Sequence, residues 1–142
     1  MEFFDVLVRY EVALWSAIDH ELGRRGLTSL GQLHALRVVE RYRGQARVQD
    51  LSGEIGITVG AASKLVDRLE RDGLASRAPN PTNRRSSLIV LTEAGQEALT
   101  SSLQVCARSL ARAVGDEDTK PLTAALDRLQ RRLHASGPGV AA

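Results

Sequence analysis

Residues 58–73 read Thr58-Val59-Gly60-Ala61-Ala62-Ser63-Lys64-Leu65-Val66-Asp67-Arg68-Leu69-Glu70-Arg71-Asp72-Gly73. Ala62, Leu65, Val66 and Leu69 recur at i, i+3, i+4, i+7, the signature of a helix with one buried stripe. Thr58 suits the N-cap, and Gly73 stops the rod. The other side carries Gly60, Ala61, Ser63, Lys64, Asp67, Arg68 and Arg71, so small residues lead and cations follow. Just upstream, residues 48–55 form a short helix with Leu51 and Ile55 four apart, closed by Gly56, which suits a left-handed C-cap. A short helix, a tight glycine turn and a longer helix make a helix-turn-helix.

Downstream, the pattern changes period. Residues 74–77 alternate loosely, and Pro79, Asn80, Pro81 and Asn83 punctuate a turn. Residues 87–92 (Ser-Leu-Ile-Val-Leu-Thr) are rich in β-branched side chains, as a strand requires. The segment 74–92 is therefore a hairpin with Arg84 and Arg85 at its tip. Thr92 caps a long helix from Glu93 to about Val114, with Ala98, Leu99, Leu103, Cys106, Leu110 and Ala113 as its apolar positions. Gly115 ends it. Asp116, Glu117 and Asp118 then stand at the start of a last helix, where the dipole favours acids. Within it Leu122, Leu126, Leu129 and Leu133 form a seam for another helix. Toward the N-terminus, Phe4, Leu7, Leu14, Ile18 and Leu22 set a helical row over residues 3–23. Ser29 caps a second helix running to Arg41, followed by a turn over residues 42–45.

The expected fold is mainly α with a small β-hairpin wing, an α+β winged helix-turn-helix with an added helical dimerisation region. Residues 28–92 form the winged helix-turn-helix. Residues 1–27 and 93–135 form the dimerisation region, and 136–142, opening Ser-Gly-Pro-Gly, a disordered tail.

Bulk properties bound the function. The 142 residues are 43% hydrophobic, 25% charged and only 4% aromatic, with a formal net charge of +2. This is an ordinary globular composition whose core must come from aliphatic side chains. Charge is unevenly placed. Residues 1–27 hold five acids against three bases, whereas residues 58–87 hold six bases against three acids. This asymmetry points to a polyanion partner for the middle of the chain only, although by charge alone a solvated face is the favoured reading. The start, Met-Glu-Phe-Phe-Asp with Arg9 soon after, does not read as a signal peptide. No apolar run approaches the roughly 18 residues of a membrane span. One cysteine can form neither an internal disulfide nor a cysteine-rich zinc site, so a cytoplasmic location is expected. His20, His34 and His134 are scattered, and no metal site or cofactor is expected. With no nucleophile elbow and no phosphate-binding loop, an enzyme is not expected.

DNA suits these elements. A helix fits the major groove, and small side chains at its N-terminal half allow close approach to base edges. Thr58, Gly60, Ala61 and Ser63 supply that approach; Lys64 and Arg68 reach phosphate or guanine. Arg84 and Arg85 fit a minor groove, whose negative potential attracts guanidinium groups. Arg77 joins this set, although its strand must also pack on the protein.

Residues 62–74 and 80–95 together resemble the MarR (multiple antibiotic resistance regulator) family. The carrying pieces are Val66-Asp67-Arg68-Leu69-Glu70, Gly73-Leu74, Asn83-Arg84-Arg85 and Leu91-Thr92-Glu93-Ala94-Gly95. The resemblance implies a homodimer built by the first and last helices, here through Leu7, Leu14, Leu122, Leu126, Leu129 and Leu133. It implies a double-stranded, pseudo-palindromic DNA operator, and repression released by a small aromatic or anionic ligand. Arg9, Trp15 and His20 on the first helix, with His34 and Arg37 on the second, are the candidate ligand residues. The alternative is a winged-helix module that binds DNA or protein without an effector. Two departures stand out. Asn83 occupies the position of the family's wing aspartate, leaving the orientation of Arg85 without its charge-assisted anchor. Ser63-Lys64 replaces a frequent Thr-Arg pair. The oxidant-sensing cysteine of some relatives lies in their first helix, which has none here; Cys106 is expected to be a buried structural thiol.

Overall fold

A computed structural model describes residues 1–136 and divides into two compact units, Met1–Leu110 and Ala111–Ala142. In the first, α1 (Glu2–Arg24), α2 (Leu30–Arg41), α3 (Val48–Ile55) and α4 (Val59–Arg71) precede the strands β1 (Ala75–Pro79) and β2 (Ser87–Leu91). The helix α5 (Glu93–Val114) then follows.

The starts of α2, α3 and α4 each have a local cause. The Ser29 hydroxyl accepts from the Gln32 N–H, and the Gln32 side chain accepts in return from the Ser29 N–H, a capping box that fixes the start of α2. Asp50 plays the return role at α3, taking the Arg47 N–H at 2.8 Å and its guanidinium at 2.9 Å. That bond holds the Asp50 carboxyl below its ordinary range. Gly56 turns the chain with φ 74°, a left-handed value that glycine adopts without a Cβ clash. Thr58 then caps α4 through its hydroxyl to the Ala61 N–H.

The core lies where α2, α3, α4 and β2 meet. Leu22, Leu33, Leu36, Leu51, Val66, Leu69 and Ile89 are all essentially sealed from solvent. All four stripe residues of α4 are buried. The buried face of α2 is wide, formed by Leu30, Leu33, Ala35, Leu36, Val38 and Val39. β1 and β2 pair antiparallel with Arg77 opposite Ile89. A one-residue third rung is added as the Ile89 N–H donates to the Ala46 carbonyl at 2.7 Å. The Thr92 hydroxyl accepts from the Gly95 N–H and donates to the Gly73 carbonyl. It thereby ties the start of α5 to the end of α4. Gly95 lies directly on the backbone: a Cβ there would sit 1.9 Å from the Leu74 carbonyl oxygen.

Some expectations are corrected. On α5 the inward positions are Gly95, Leu99, Ser102 and Val105. Leu110 and Ala113 are exposed, and Cys106 is half-buried rather than buried. Cys106 lies on the same face as Gly95, three turns on, and packs at the edge of the core rather than inside it. Inside this core the Ser102 and Thr28 hydroxyls share a hydrogen bond of 2.9 Å, which satisfies both away from water.

In the second unit the end of α5 is closed by Gly115, with φ 61°, and α6 (Lys120–Ser136) follows. Its first turn holds no acid. Asp116, Glu117 and Asp118 precede the helix, and Asp118 accepts the Lys120 N–H at 3.1 Å. Ser136 is helical; the rest of the expected tail, 137–142, lies outside the described residues.

Candidate nucleic-acid interface

Burial of Ala62, Leu65, Val66 and Leu69 fixes the rotation of α4 about its axis, and this rotation decides what faces outward. Thr58, Gly60, Ala61, Lys64 and Arg68 are exposed, and Ser63 is half-buried. Nothing lies within 4 Å of a Cβ built on Gly60, so this end of the rod is open to close approach. Arg84 and Arg85 are exposed at the hairpin tip. No carboxylate among the described residues pairs with Lys64, Arg68, Arg84 or Arg85, whereas Arg41, Arg47 and Arg77 all hold acids.

The wing loop is held by uncharged bonds. Asn80, 8% exposed, donates through Nδ2 to Ser86 Oγ at 2.8 Å. Its Oδ1 accepts both the Thr82 N–H and the Thr82 hydroxyl, at 3.0 and 2.8 Å. Ser86 Oγ donates to the Asn83 carbonyl. Asn83 Oδ1 accepts the backbone N–H of Arg85 at 3.0 Å. Asn83 therefore orients Arg85 through its main chain and leaves the guanidinium free. Asn80 escaped the sequence reading except as a turn residue; its burial depends on how the hairpin closes.

Arg77 is placed differently from the other candidate DNA contacts. Its guanidinium bonds Glu70 through Nη1 and Asp67 through Nη2, the latter at 2.8 Å, and its backbone N–H donates to Glu70 Oε1 at 3.0 Å. Its side chain is 30% exposed.

Of the candidate ligand residues, Trp15 and His34 meet edge to face, with ring centroids 5.6 Å apart and planes at 79°. Burial, and then the charge of Arg37, hold His34 below its ordinary value. Arg37 is exposed and lines an open groove of about 470 Å³ with Glu40, Arg41, Arg43 and Leu103, which no single segment foreshadows because Leu103 comes from a helix distant in sequence. Arg9 and His20 are exposed on α1. Of the expected dimerisation residues, Leu7, Leu122, Leu129 and Leu133 are exposed, and Leu14 and Leu126 half-buried. Around Leu7, α1 also exposes Phe3, Phe4, Val6, Val8, Tyr10 and Val12. Among the described residues no group of acids, histidines and cysteine could hold a metal, and no helix is long and apolar enough to cross a membrane.

The sequence profile of the MarR family matches residues 28–87, which run from just before α2 to the start of β2. The uncharacterized HTH-type transcriptional regulator YfiV of Bacillus subtilis (strain 168) is 28% identical over 83 residues, covering 58% of this chain and 46% of its own. The matched stretch thus spans about half the length of that curated relative. Two solved structures share the fold. A cysteine-to-serine variant of Escherichia coli MarR complexed with operator DNA superposes with a TM-score of 0.79 at 18% identity, over 94% of either chain. CouR from Rhodococcus jostii RHA1, bound to p-coumaroyl-CoA, superposes with a TM-score of 0.78 at 20% identity, over 96% of this chain and 93% of CouR. Residues 28–87 thus match the MarR family, and the chain shares the fold of solved winged helix-turn-helix regulators of that family.

Proposed function

We propose that this chain binds double-stranded DNA as a homodimer and represses transcription until a small aromatic or anionic ligand releases it. In this reading α4 enters the major groove. Thr58, Gly60, Ala61 and Ser63 permit close approach, while Lys64 and Arg68 reach phosphate or guanine. Arg84 and Arg85 enter the neighbouring minor groove. The observation that carries the reading is the orientation of α4: its apolar stripe is sealed in the core while its small-residue, cationic side is open. The operator complex of the similar E. coli MarR supports it.

The dimer would form through the first and last helices, and two-fold symmetry would call for a pseudo-palindrome with half-sites about 10 bp apart or a multiple of that. A chromosomal target would place the protein in the cytoplasm. For the effector, the half-buried His34 against Trp15, with Arg37 beside it, offers an aromatic edge and a cation. The ligand held by CouR supports the class of molecule.

The test is to incubate the protein with sheared genomic DNA, sequence the bound fragments and footprint the best of them. Two protected half-sites with matching symmetry are expected. Random recovery, or protection of one asymmetric half-site, overturns the reading. A thermal-shift screen of aromatic acids and acyl thioesters tests the effector. A hit that raises Tm and also lowers DNA affinity supports release; absence of any hit favours a regulator without an effector.

A further inference from the structure

We propose that Arg77 touches no phosphate and is instead a positioning residue: it bolts the wing to the DNA-reading helix and so sets the reach between the two DNA contacts. The proposal rests on the DNA-binding reading above. Asp67 and Glu70 lie one turn apart on α4, and the Arg77 fork closes on both. A second link comes from the backbone, whose Arg77 N–H donates to Glu70. Strand β1 is thus fastened to α4 by main chain and side chain at one point, opposite the Ile89 rung that joins the hairpin to Ala46.

Two consequences follow. A planar guanidinium satisfied by two carboxylates has few donors left for phosphate, so loss of Arg77 releases few counterions. The same fork neutralises acids that stand beside Lys64 and Arg68 on the helix meant to approach DNA, and it does so in a fixed geometry that a lysine cannot reproduce. What Arg77 governs is the angle between α4 and the wing tip. That angle matters only when both must fit one duplex in register, so its loss acts on sequence discrimination more than on attraction to DNA.

Arg77→Lys and Arg77→Ala separate the alternatives, measured on the recovered operator and on random DNA across a salt series. For Arg77→Lys, the ratio of specific to non-specific affinity is expected to fall about tenfold, the order of one lost charge-assisted bond. Non-specific affinity and salt slope should stay at the wild-type values. In Arg77→Ala combined with Glu70→Gln, which keeps the net charge of the face, the slope again holds, and in the cycle of these two changes the losses of discrimination overlap rather than add. Arg77→Lys behaving as wild type, with Arg77→Ala flattening the slope by about one per protomer, makes Arg77 a phosphate ligand and overturns the proposal. Amide exchange of the free protein reads the bolt without DNA. Faster exchange over residues 76–78 in Arg77→Ala, with an unchanged core, is expected, and unchanged exchange overturns it. Should wild-type protein bind no DNA, the regulator reading fails while the exchange result still judges the bolt.

Discussion

Replacing both tip arginines, Arg84→Ala with Arg85→Ala, tests the interface most directly. Four cations per protomer lack carboxylate partners on the proposed face: Lys64, Arg68, Arg84 and Arg85. If each neutralises one phosphate, a dimer neutralises about eight, and log K falls with log salt at a slope near −7. From 50 to 200 mM salt, affinity then drops by about 10⁴-fold. The double variant removes about half of those contacts, which leaves a slope near −3.6 and a drop of about 10²-fold over the same range. Stability should change little, since these side chains are exposed and unpaired. Fluorescence anisotropy on a labelled operator at five salt concentrations gives both slopes, and a thermal melt gives the stability. A variant with an unaltered slope would show that the wing tip lies off the duplex, and the assignment of the minor-groove contact would fall with it.

Other perturbations probe the scaffold. Gly95→Ala forces a Cβ to within 1.9 Å of the Leu74 carbonyl, so a destabilisation of about 3 kcal/mol or more is expected by denaturant titration; a near-neutral result would mean that α5 does not pack as described. Gly60→Ala has open space and should stabilise α4 by roughly 1 kcal/mol while weakening operator binding. Raised Tm with undiminished affinity would remove Gly60 from the contact face. Ser102→Ala strands the buried Thr28 hydroxyl at a cost of about 1–3 kcal/mol, much of it recovered by adding Thr28→Val; additive losses would argue against the bond. His34 is held below its ordinary 6.5 by burial and Arg37, so the unfolded chain takes up this proton first as pH falls. Its stability contribution is complete above pH 6.5 and declines below it, and His34→Gln should flatten that decline in melts from pH 8 to pH 5.

Local chemistry was legible in the sequence wherever one short segment decided the outcome. Ser29, Thr58 and Thr92 cap because hydroxyls at those points accept nearby amides, and Gly56 and Gly73 turn left-handed because the chain must reverse. Which side of α4 lies open to solvent followed from its buried stripe. What stayed hidden depended on partners distant in sequence. Arg77 reads as one more cation of the basic segment until folding brings it against two carboxylates seven and ten residues earlier. Thr28 and Ser102 are unremarkable polar residues separated by 74 positions, yet they share one buried bond. Cys106 sits on a credible apolar row and on the same face as Gly95, but it packs at the edge of the core and stays half-buried, because how far the core extends along α5 is set by the other helices. The start of α6 was misplaced because acids favoured at an N-terminus also serve just ahead of one, as Asp118 does.

The departure from the family pattern at the wing acquires a physical sense once charge and orientation are separated. An aspartate at position 83 would orient an arginine by pairing with it and would subtract one charge from the tip. Asn83 accepts the Arg85 main-chain amide instead, and the Asn80, Thr82 and Ser86 side chains close the loop without any ionised group. The loop is shaped by neutral hydrogen bonds, and both guanidinium groups keep their full charge. Exposed ion pairs add little stability, so leaving Arg84 and Arg85 unpaired costs the fold little. The pairing is placed instead at Arg77, where the same interaction ties two elements together rather than competing with a phosphate. Within α4 and the hairpin, Arg77, held by carboxylates, ties the framework together, while Lys64, Arg68, Arg84 and Arg85, left without them, stay open to a polyanion.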